Sequence, residues 1–517
     1  ASRQPVARIW RKDHTLWKAS PQEITNRLGW LDLPNSMRST LSELTRFGKS
    51  VEERGIRDVV LLGMGGSSLG AEVLRQVLAR PEQSPQLTVL DSTVPTVVAG
   101  LRKRLDPKHT LFLVASKSGT TTEVMAFYHF FRKELDEALG REEAGGHFVA
   151  ITDPGTPLFS LANKEGFHRT FINPADVGGR YSVLSYFGLV PAAVLGVNLG
   201  ELLMRAREMA RACGVTSPRD DNPGGHLGMV MSCLARSGRN KLSIVTSPRL
   251  ASFALWAEQL VAESTGKEGK GILPVAGEPL GPVEVYCEDR LFVYLRLNGD
   301  QNTETDRHAE ALEKAGHPVI RLNLRDPYDL GAEFFRWEYA VAVAGACLAI
   351  NPFDQPNVAE SKKITADVLS GYAESKAPLQ MQKVGSFSKL MRAAKPGSYL
   401  ALLIFSRETP ELNAALDQLR ARLLGTRNLV STMGYGPRYL HSTGQLHKGG
   451  PNTGLFAQIC AQWPEGPEVP GAGYDFGTLA TAQAIGDFQA LNAHERPVIR
   501  VVAENEADLP ELVAKLS

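Results

Sequence analysis

Short apolar runs rich in β-branched residues alternate along this chain with longer segments whose apolar residues recur at helical spacing. Residues 1–50 lack such runs, and their patterns predict helices over 20–28 and 36–47. Beyond residue 50, continuous apolar runs of this length are typical of buried strands in a parallel sheet. Ten strands are predicted in this way, over residues 57–63, 87–91, 110–116, 147–152, 242–246, 283–286, 291–297, 319–324, 399–405 and 498–502.

Helical patterns separate most of these strands, for example over 70–79 and 123–139, and a linking helix is predicted over 201–213. Strands that alternate with helices indicate βαβ units. The pattern therefore predicts an α/β fold with two open parallel sheets and a boundary near residues 200–240. A Gly- and Pro-rich region over 434–477 shows no clear element and is predicted to be a long irregular loop, of the kind that is usually functional or disordered.

Composition excludes several classes of protein. Of 517 residues, 43% are apolar, which is enough to bury a core, and 57 basic residues against 56 acidic ones give a net charge of +1. Nucleic acid or an anionic membrane is therefore not expected as an obligate partner. The twelve-residue apolar runs 186–197 and 339–350 are shorter than the ~20 residues of a membrane span and are predicted to be core segments.

The cysteines and the first residues indicate the compartment. Five scattered cysteines without a CxxC pair predict neither a disulfide framework nor a structural zinc site, which fits a reducing cytoplasm. The first ten residues contain no apolar signal-peptide stretch. They also lack an initiator methionine, so a processed chain or a piece of a longer one is expected.

Two glycine- and hydroxyl-rich loops follow predicted strands. In LLGMGGSSLG (61–70), Gly65, Gly66 and Ser67 precede a helix, so the backbone can approach a ligand closely. The spacing of the glycines differs from that of a dinucleotide-binding motif. Asp91 also lies somewhat too far along the chain to be the acidic residue that binds the ribose in such a motif. A tight strand-to-helix turn without a ligand is the alternative.

The second loop, ASKSGTTTE (115–123), carries five hydroxyl groups around one glycine at a helix start. Hydroxyls and backbone N–H groups that converge there form a nest for a phosphate group. Simple helix capping, which needs one hydroxyl, is the alternative. The predicted phosphate-binding residues of this loop are Ser116, Lys117, Ser118, Thr120 and Thr121.

Two further motifs carry charged residues that are candidates for catalysis. DVGGRYSVLS (176–185) presents Arg180 after two glycines, where it could stabilise an anionic intermediate or form an ion pair with Asp176. In AEQLVAESTGKEGKG (257–271), Gln259 and Glu263 share a helix face that Gly266 ends. A carboxylate at a helix C-terminus favours protonation and suits a general base, although an ordinary surface glutamate is the alternative.

The last two motifs would not establish a function by themselves. INPFDQPNVAESKK (350–363) carries Gln355 and Lys362. LHSTGQLHKGGPNTG (440–454) carries His441 and His447. Metal ligation by these histidines lacks a carboxylate within the motif, and solvated loop histidines are the alternative.

Taken in order, GMGGSSLG, SKSGTT, DVGGRYS, ESTGK and NPFDQPNVAESK resemble the glucose-6-phosphate isomerase (phosphoglucose isomerase) family over residues 50–365. The resemblance implies two sugar-isomerase domains, each a three-layer sandwich of a mainly parallel sheet and helices. We expect an N-terminal helical segment (1–50), these domains (51–215 and 216–430), and a C-terminal segment (431–517) that carries a histidine loop and returns to the sheet core.

One departure from the family is informative. The usual histidine segment shortly after the catalytic glutamate is missing, since 271–299 contains no histidine, and an LHS-x-GQ segment appears instead at 440–445. This order, with the KDHTLWK and NRLGWL start, is most similar to the isomerase half of bacterial bifunctional transaldolase/glucose-6-phosphate isomerases. No transaldolase barrel is evident, so either a cut-out half or a free-standing relative is expected.

The resemblance also implies the roles of the candidate residues. Ser116, Ser118, Thr121 and the Lys117 backbone would hold the sugar phosphate, and Gly65, Gly66 and Ser67 would line the sugar. Glu263 would move a proton between C2 and C1, and Arg180 would stabilise the cis-enediolate. Lys362 and His441 would open the ring, and Gln259 and Gln355 would position the substrate.

No metal or other cofactor is expected, and the partners are sugar phosphates. Two alternatives stay open: an isomerase of wider range that also accepts mannose 6-phosphate, and a sugar-phosphate-binding regulator without catalysis. The sequence leaves open a homodimer, a preceding transaldolase domain, and whether His441 acts in its own chain or in a second subunit.

Overall fold

Within the described part of the chain, the fold contains three parallel sheets and one short hairpin, each embedded among helices. A computed structural model describes residues 5–78, 84–216, 222–375, 377–463 and 465–516. The last residue of the predicted helix 70–79 and residues 1–4 of the predicted N-terminal segment lie outside these ranges.

The strands in these ranges are β1 (Asp58–Gly63), β2 (Gln86–Leu90), β3 (Thr110–Ala115), β4 (Phe148–Thr152), β5 (Arg169–Ile172), β6 (Lys241–Thr246), β7 (Leu273–Ala276), β8 (Arg290–Leu297), β9 (Val319–Leu324), β10 (Tyr399–Phe405), β11 (Val430–Tyr435), β12 (Gly454–Ala461), β13 (Glu468–Val469), β14 (Tyr474–Asp475) and β15 (Val498–Ala503). The first sheet has the order β2-β1-β3-β4-β5, the second β7-β6-β8-β9 and the third β11-β10-β12-β15. Neighbouring strands in all three are parallel, whereas β13 and β14 form an antiparallel hairpin.

The helices are α1 (Pro5–Trp10), α2 (Leu33–Ser36), α3 (Leu41–Glu53), α4 (Leu69–Val77), α5 (Pro95–Arg104), α6 (Thr122–Leu139), α7 (Arg141–Ala144), α8 (Pro157–Lys164), α9 (Tyr186–Val194), α10 (Leu199–Ala212), α11 (Pro223–Arg236), α12 (Ala251–Thr265), α13 (Thr303–Lys314), α14 (Leu330–Leu348), α15 (Pro356–Ser375), α16 (Phe387–Arg392), α17 (Pro410–Arg427), α18 (Gly444–Gly449), α19 (Phe476–Ala493) and α20 (Leu509–Ala514). The predicted core segments lie in α9 and α14, which are largely buried. No helix in the described ranges is long and apolar enough to cross a membrane.

The predicted α/β class, with parallel sheets flanked by helices, is confirmed, and nine of the ten predicted strands are present within one residue at each end. The number of sheets differs, because the strands after residue 240 form two sheets rather than one. Pro274 lies in the edge strand β7. Since proline has no backbone N–H to donate, it is suited to a sheet edge, and the second sheet ends there.

Three element predictions are wrong. Residues 283–285 form a 3-10 turn after Pro282 instead of a strand. Helix 20–28 is replaced by turns, because Glu23 adopts a positive φ of 51° that interrupts a helix. The region 434–477 is not an irregular loop, since it contains α18, the hairpin and the fully buried strand β12.

The first sheet creates the place for a site. Strand β1 lies between β2 and β3, so the chain order reverses there, and Gly63 at the end of β1 pairs with Ala115 at the end of β3. The loops that leave these two strands therefore begin side by side at the carboxyl edge of the sheet. In open α/β sheets this crevice is where ligands bind.

Candidate active site

The glycine loop after β1 touches the loop that carries Arg180. Gly65 has a φ of +55°, and a Cβ atom built on Gly66 would lie 2.1 Å from the carbonyl oxygen of Gly179. A side chain at either position is therefore excluded by backbone strain or by contact with backbone. The acidic residue considered for a nucleotide ribose, Asp91, is instead buried in a bidentate ion pair with Arg438, at 2.8 and 2.9 Å.

The hydroxyl loop between β3 and α6 is held by its own side chains. Ser116 is buried, lies 2.9 Å from Thr121 (Oγ to Oγ1) and accepts a hydrogen bond from the Gly119 N–H at 3.1 Å. Ser118 is exposed and accepts from the Thr120 N–H at 3.3 Å. The ammonium of Lys117 pairs with the Asp153 carboxylate, so its side chain is already engaged.

Helix α12 carries the predicted Gln259 and Glu263 on one face. It ends at Thr265, with Gly266 as its C-cap, as the sequence predicts. Glu263 is only 4% exposed, so the alternative of an ordinary surface glutamate is wrong. The Gln259 amide donates to Glu263 Oε2 at 3.2 Å and to the His441 carbonyl oxygen at 2.7 Å.

Arg180 is buried beside Glu263, with 3.5 Å between Nη1 and Oε1. Its Nε donates to Ser264 at 2.7 Å, and Nη2 donates to the Pro352 carbonyl oxygen at 2.6 Å. Among the described residues, the alternative ion pair between Arg180 and Asp176 does not form. Arg180 is therefore a fixed cation at the Glu263 carboxyl.

The environment of Glu263 favours a proton on its carboxyl. Burial raises the pKa of Glu263 above its ordinary value, while Arg180, Lys267 and His441 oppose that rise. A carboxyl group whose pKa is raised holds a proton more readily, and so can return the proton that it has taken. The arrangement thus suits proton transfer between two carbon atoms.

The His441 ring contacts a carboxylate that the sequence analysis did not assign to the site. Its Nε2 lies 2.9 Å from Glu123 Oε1, which also accepts from the Gln483 amide at 2.8 Å. Burial raises the pKa of Glu123, but the charge and hydrogen bond of His441 outweigh burial and hold that pKa at about 2. The position of Glu123 directly after the hydroxyl loop is the signal that could have identified it.

Helix α15 supplies the exposed side of the site. Gln355, just before the helix, accepts a hydrogen bond from Arg180 Nη1 at 3.1 Å, and Lys362 lies on the first half of the helix. Both residues are exposed. They line the same cavity as the buried Glu263 and Arg180.

This cavity has a volume of about 520 Å³. It brings together twelve of the fourteen candidate residues, including His441 of the same chain; Ser116 lies behind its wall, and Thr120 lines a smaller cavity of about 170 Å³ beside it. The twelve are Gly65, Gly66, Ser67, Lys117, Ser118, Thr121, Arg180, Gln259, Glu263, Gln355, Lys362 and His441.

Lys267 is a second residue that sequence reasoning missed, although it stands in the ESTGK motif. Its buried ammonium donates to the Asn351 carbonyl oxygen at 2.6 Å and pairs with Asp354 at 2.7 Å. Burial and the charge of Arg180 lower the pKa of Lys267 to about 7. Lys267 thus holds the loop that ends in Gln355.

His447 belongs to neither of the environments expected for it. It is buried, its ring lies 5.1 Å from that of Phe456, and neither ring nitrogen has a hydrogen-bond partner within the described part of the chain. The prediction that His447 is a solvated loop histidine is therefore wrong. The described residues contain no group of three or more His, Cys, Asp or Glu side chains that could hold a metal ion.

Comparisons with known proteins agree with this geometry. The family model described as phosphoglucose isomerase matches residues 32–272. The glucose-6-phosphate isomerase of Bacillus cereus (strain AH187) is 31% identical over 405 residues, which cover 68% of this chain and 89% of that protein. The glucose-6-phosphate isomerase of Bacillus anthracis is 32% identical with the same coverage.

Two solved structures share the fold. A hypothetical protein from Thermus thermophilus superposes with a TM-score of 0.61 at 29% identity, covering 71% of this chain and 94% of that one. A glucose-6-phosphate isomerase from Chlamydia trachomatis has a TM-score of 0.57 at 20% identity, covering 72% and 78%. Because the Bacillus relatives are matched over nearly nine-tenths of their length, this chain belongs to the phosphoglucose isomerase family.

Proposed function

We propose that this chain interconverts D-glucose 6-phosphate and D-fructose 6-phosphate through a cis-enediolate, as an enzyme of glycolysis and gluconeogenesis. One observation carries the proposal: the buried Glu263 carboxyl, with a raised pKa, faces the same cavity as the hydroxyl loop after β3. A phosphorylated hexose held by that loop can present its C1 and C2 to a single base.

Substrate is held at the hydroxyl loop. Ser118 and Thr121 line the cavity and, with the backbone N–H groups at the start of α6, offer donors to a phosphate group. Ser116 supports the loop from behind through Thr121. Gly65, Gly66 and Ser67 lie along the sugar, where the absence of bulky side chains leaves room for it.

The proton transfer takes place at Glu263 and Arg180. Glu263 removes the proton at C2 of the open-chain aldose and delivers it to C1, while the hydroxyl proton on O2 is transferred to O1, so that the carbonyl group moves from C1 to C2. The fixed charge of Arg180 stabilises the enediolate oxygens, an effect typically worth about 3 kcal/mol. Lys362 and His441 move the protons of ring opening, while Gln259 and Gln355 position substrate, base and arginine.

The remaining expectations are part of the same proposal. The reaction needs no cofactor. The chain is placed in the cytoplasm, a location that suits its five free cysteines. The domain boundaries at 50, 215 and 430, a homodimer and a transaldolase domain in the full-length chain stay predictions, which limited proteolysis and the mass of the purified protein would test.

Replacing the base tests the proposal. Glu263→Gln keeps the size and one hydrogen-bonding oxygen but removes the basic carboxylate, so turnover should fall at least ~10²-fold while fructose 6-phosphate binding is retained. A dehydrogenase-coupled assay measures turnover, and calorimetry measures binding. Ring opening does not need this base, so interconversion of the sugar anomers, followed by NMR, should persist.

Glu137→Gln on the exposed side of α6 is the matched control and should behave as wild type. Retained turnover in Glu263→Gln would remove Glu263 from its role. Binding without turnover in the wild type would favour a non-catalytic regulator. Assaying mannose 6-phosphate beside glucose 6-phosphate in the same coupled system defines the substrate range.

A further inference from the structure

We infer that Arg27 is a further substrate-binding residue, whose guanidinium contacts the phosphate group of the sugar phosphate. This inference rests on the proposed function and deepens it. Arg27 lines the 520 Å³ cavity together with Lys117, Ser118 and Asp153. It stands in the N-terminal segment, ahead of residues 32–272 that match the family model.

Packing fixes Arg27 at the cavity. Its neighbours Ile24 and Leu28 are fully buried, so the turn between them cannot swing away without exposing core. Leu28 forms an antiparallel bridge with Val177, and the Gly29 N–H donates to the Asp176 carbonyl oxygen at 2.9 Å. The segment is thus tied to the loop that carries Arg180.

The guanidinium keeps donors for a ligand. Arg27 Nη1 donates to its neighbour's carbonyl oxygen at 3.0 Å, and Nη2 donates to Glu23 Oε1 at 3.2 Å. Three of the five N–H groups of an arginine then lack a partner among the described residues. The Arg27 stem packs over Gly178, where a built Cβ atom would lie 3.6 Å from Cδ.

Charge favours an anion beside Arg27. The lining cations are Arg27, Lys117, Arg180 and Lys362, against the carboxylates of Asp153 and Glu263. Lys117 is paired with Asp153, and Arg180 lies against Glu263, so these pairs largely cancel. Two lining cations remain to balance a phosphate dianion: Lys362, and Arg27, whose ion pair with Glu23 lies outside the cavity lining and leaves part of its guanidinium free.

Like Lys362, Arg27 lines the cavity beside Lys117 and Ser118 of the hydroxyl loop. Its positive charge acts on Asp153, the partner of Lys117 in that loop, whereas the charge of Lys362 acts on Glu123 beside His441. Because the Lys117 ammonium is engaged by Asp153, Arg27 is placed to supply the charge-assisted contact. The planar arginine fork suits two phosphate oxygens.

Arg27→Gln tests this inference, with Arg38→Gln as the control for an exposed arginine of the same segment. Losing one charge-assisted contact should weaken inorganic phosphate binding, measured by calorimetry, about ten-fold. The KM for fructose 6-phosphate should rise by a similar factor, while kcat stays within about two-fold because the contact is made equally before and during reaction. Arg38→Gln should change neither value.

Glu23→Gln separates direct contact from support of the segment. It removes the carboxylate that competes for Arg27 and keeps the side-chain size, so phosphate affinity should be unchanged or tighter. Phosphate binding by Arg27→Gln equal to wild type would overturn the inference, as would an equal loss in Glu23→Gln. Phosphate titration needs no turnover: if the wild type fails to isomerise but Arg27→Gln still loses phosphate, only the proposed function fails.

Discussion

His441 is oriented by Glu123, a residue 318 positions away in the chain. The carboxylate accepts from the Gln483 amide on its other side, and Gln483 in turn accepts from the Thr93 hydroxyl at 2.6 Å. Such a chain of hydrogen bonds fixes the direction in which a histidine presents its second nitrogen. Among the described residues, Glu123 therefore orients the His441 ring, and the proposed ring opening by His441 depends on that orientation.

Glu123→Gln should slow conversion of the cyclic sugar phosphate roughly 10²-fold, because the histidine loses its anionic partner. NMR exchange between the anomers of fructose 6-phosphate measures ring opening directly, and His441→Ala should show the same defect. Glu137→Gln, on the exposed face of α6, serves as the control. An equal loss with an open-chain analogue would count against a role in ring opening.

Most residues of this candidate site belong to short sequence motifs that can be recognised without the structure. Loops after strands, and pairs four apart on a helix, keep their geometry locally, and Ser118, Thr121, Gln259 and Glu263 line one cavity. Their roles stay predictions. Glu123 was missed because its partner is remote in sequence. No local pattern distinguishes a carboxylate that caps a helix from one that orients a histidine.

Helix α14 contains a buried carboxyl group that lowers the folding stability of the protein. Glu338 is 0% exposed, and neither carboxyl oxygen has a hydrogen-bond partner within the described ranges. Burial raises the pKa of Glu338 well above its ordinary value. The unfolded chain releases this proton above its ordinary pKa of about 4.5, whereas the folded chain retains it, so folding stability falls as pH rises from there.

Glu338→Met, which removes the carboxyl at similar volume, should therefore stabilise the protein by about 1–3 kcal/mol. Urea unfolding at pH 5 and pH 8 should show the larger gain at pH 8. Glu310→Met, at an exposed position of α13, controls for the added sulfur side chain. A variant less stable than wild type at both values would show that the carboxyl has a favourable role in the core.

Strands were predictable where the residues on either side of an apolar run also indicated that a strand begins and ends there. Strands β9 and β10 were identified to the residue. Strand β12 was missed because Gln458 interrupts its apolar run and because it lies among glycines and prolines. Strand β7 was missed for a related reason, since Pro274 interrupts a run of only four residues.

The site draws on all three sheets, and this assembly could not be read from local patterns. The first sheet supplies the hydroxyl loop, α12 at the second sheet supplies Glu263, and the segment between β11 and β12 of the third sheet supplies His441. That segment is held by Gln445, which donates to the Gly266 carbonyl oxygen at 3.0 Å, and by a buried Lys448–Asp487 pair at 2.7 Å. Each clamp joins residues distant in the chain.

The clamp between Asp91 and Arg438 joins the first sheet to the histidine segment outside the cavity, since neither residue lines it. Both carboxylate oxygens accept from the guanidinium, and Asp91 is buried. Asp91→Asn removes the charge and one acceptor, leaving a half-buried arginine without its anion. Unfolding free energy should drop by about 1–3 kcal/mol, less than for a fully buried pair, because Arg438 is 34% exposed.

Because the histidine segment then loses one of its anchors while the hydroxyl loop keeps its own contacts, Asp91→Asn should separate two proposed functions of the site. Anomer exchange and turnover of the cyclic substrate should fall about ten-fold, the factor expected when a catalytic group is held less firmly. Calorimetric binding of inorganic phosphate should remain at the wild-type value. Glu511→Gln, which breaks an exposed ion pair with Lys515 in α20, should alter none of these measurements. Equal losses of phosphate binding and turnover would mean that the clamp supports the whole cavity and not the histidine alone.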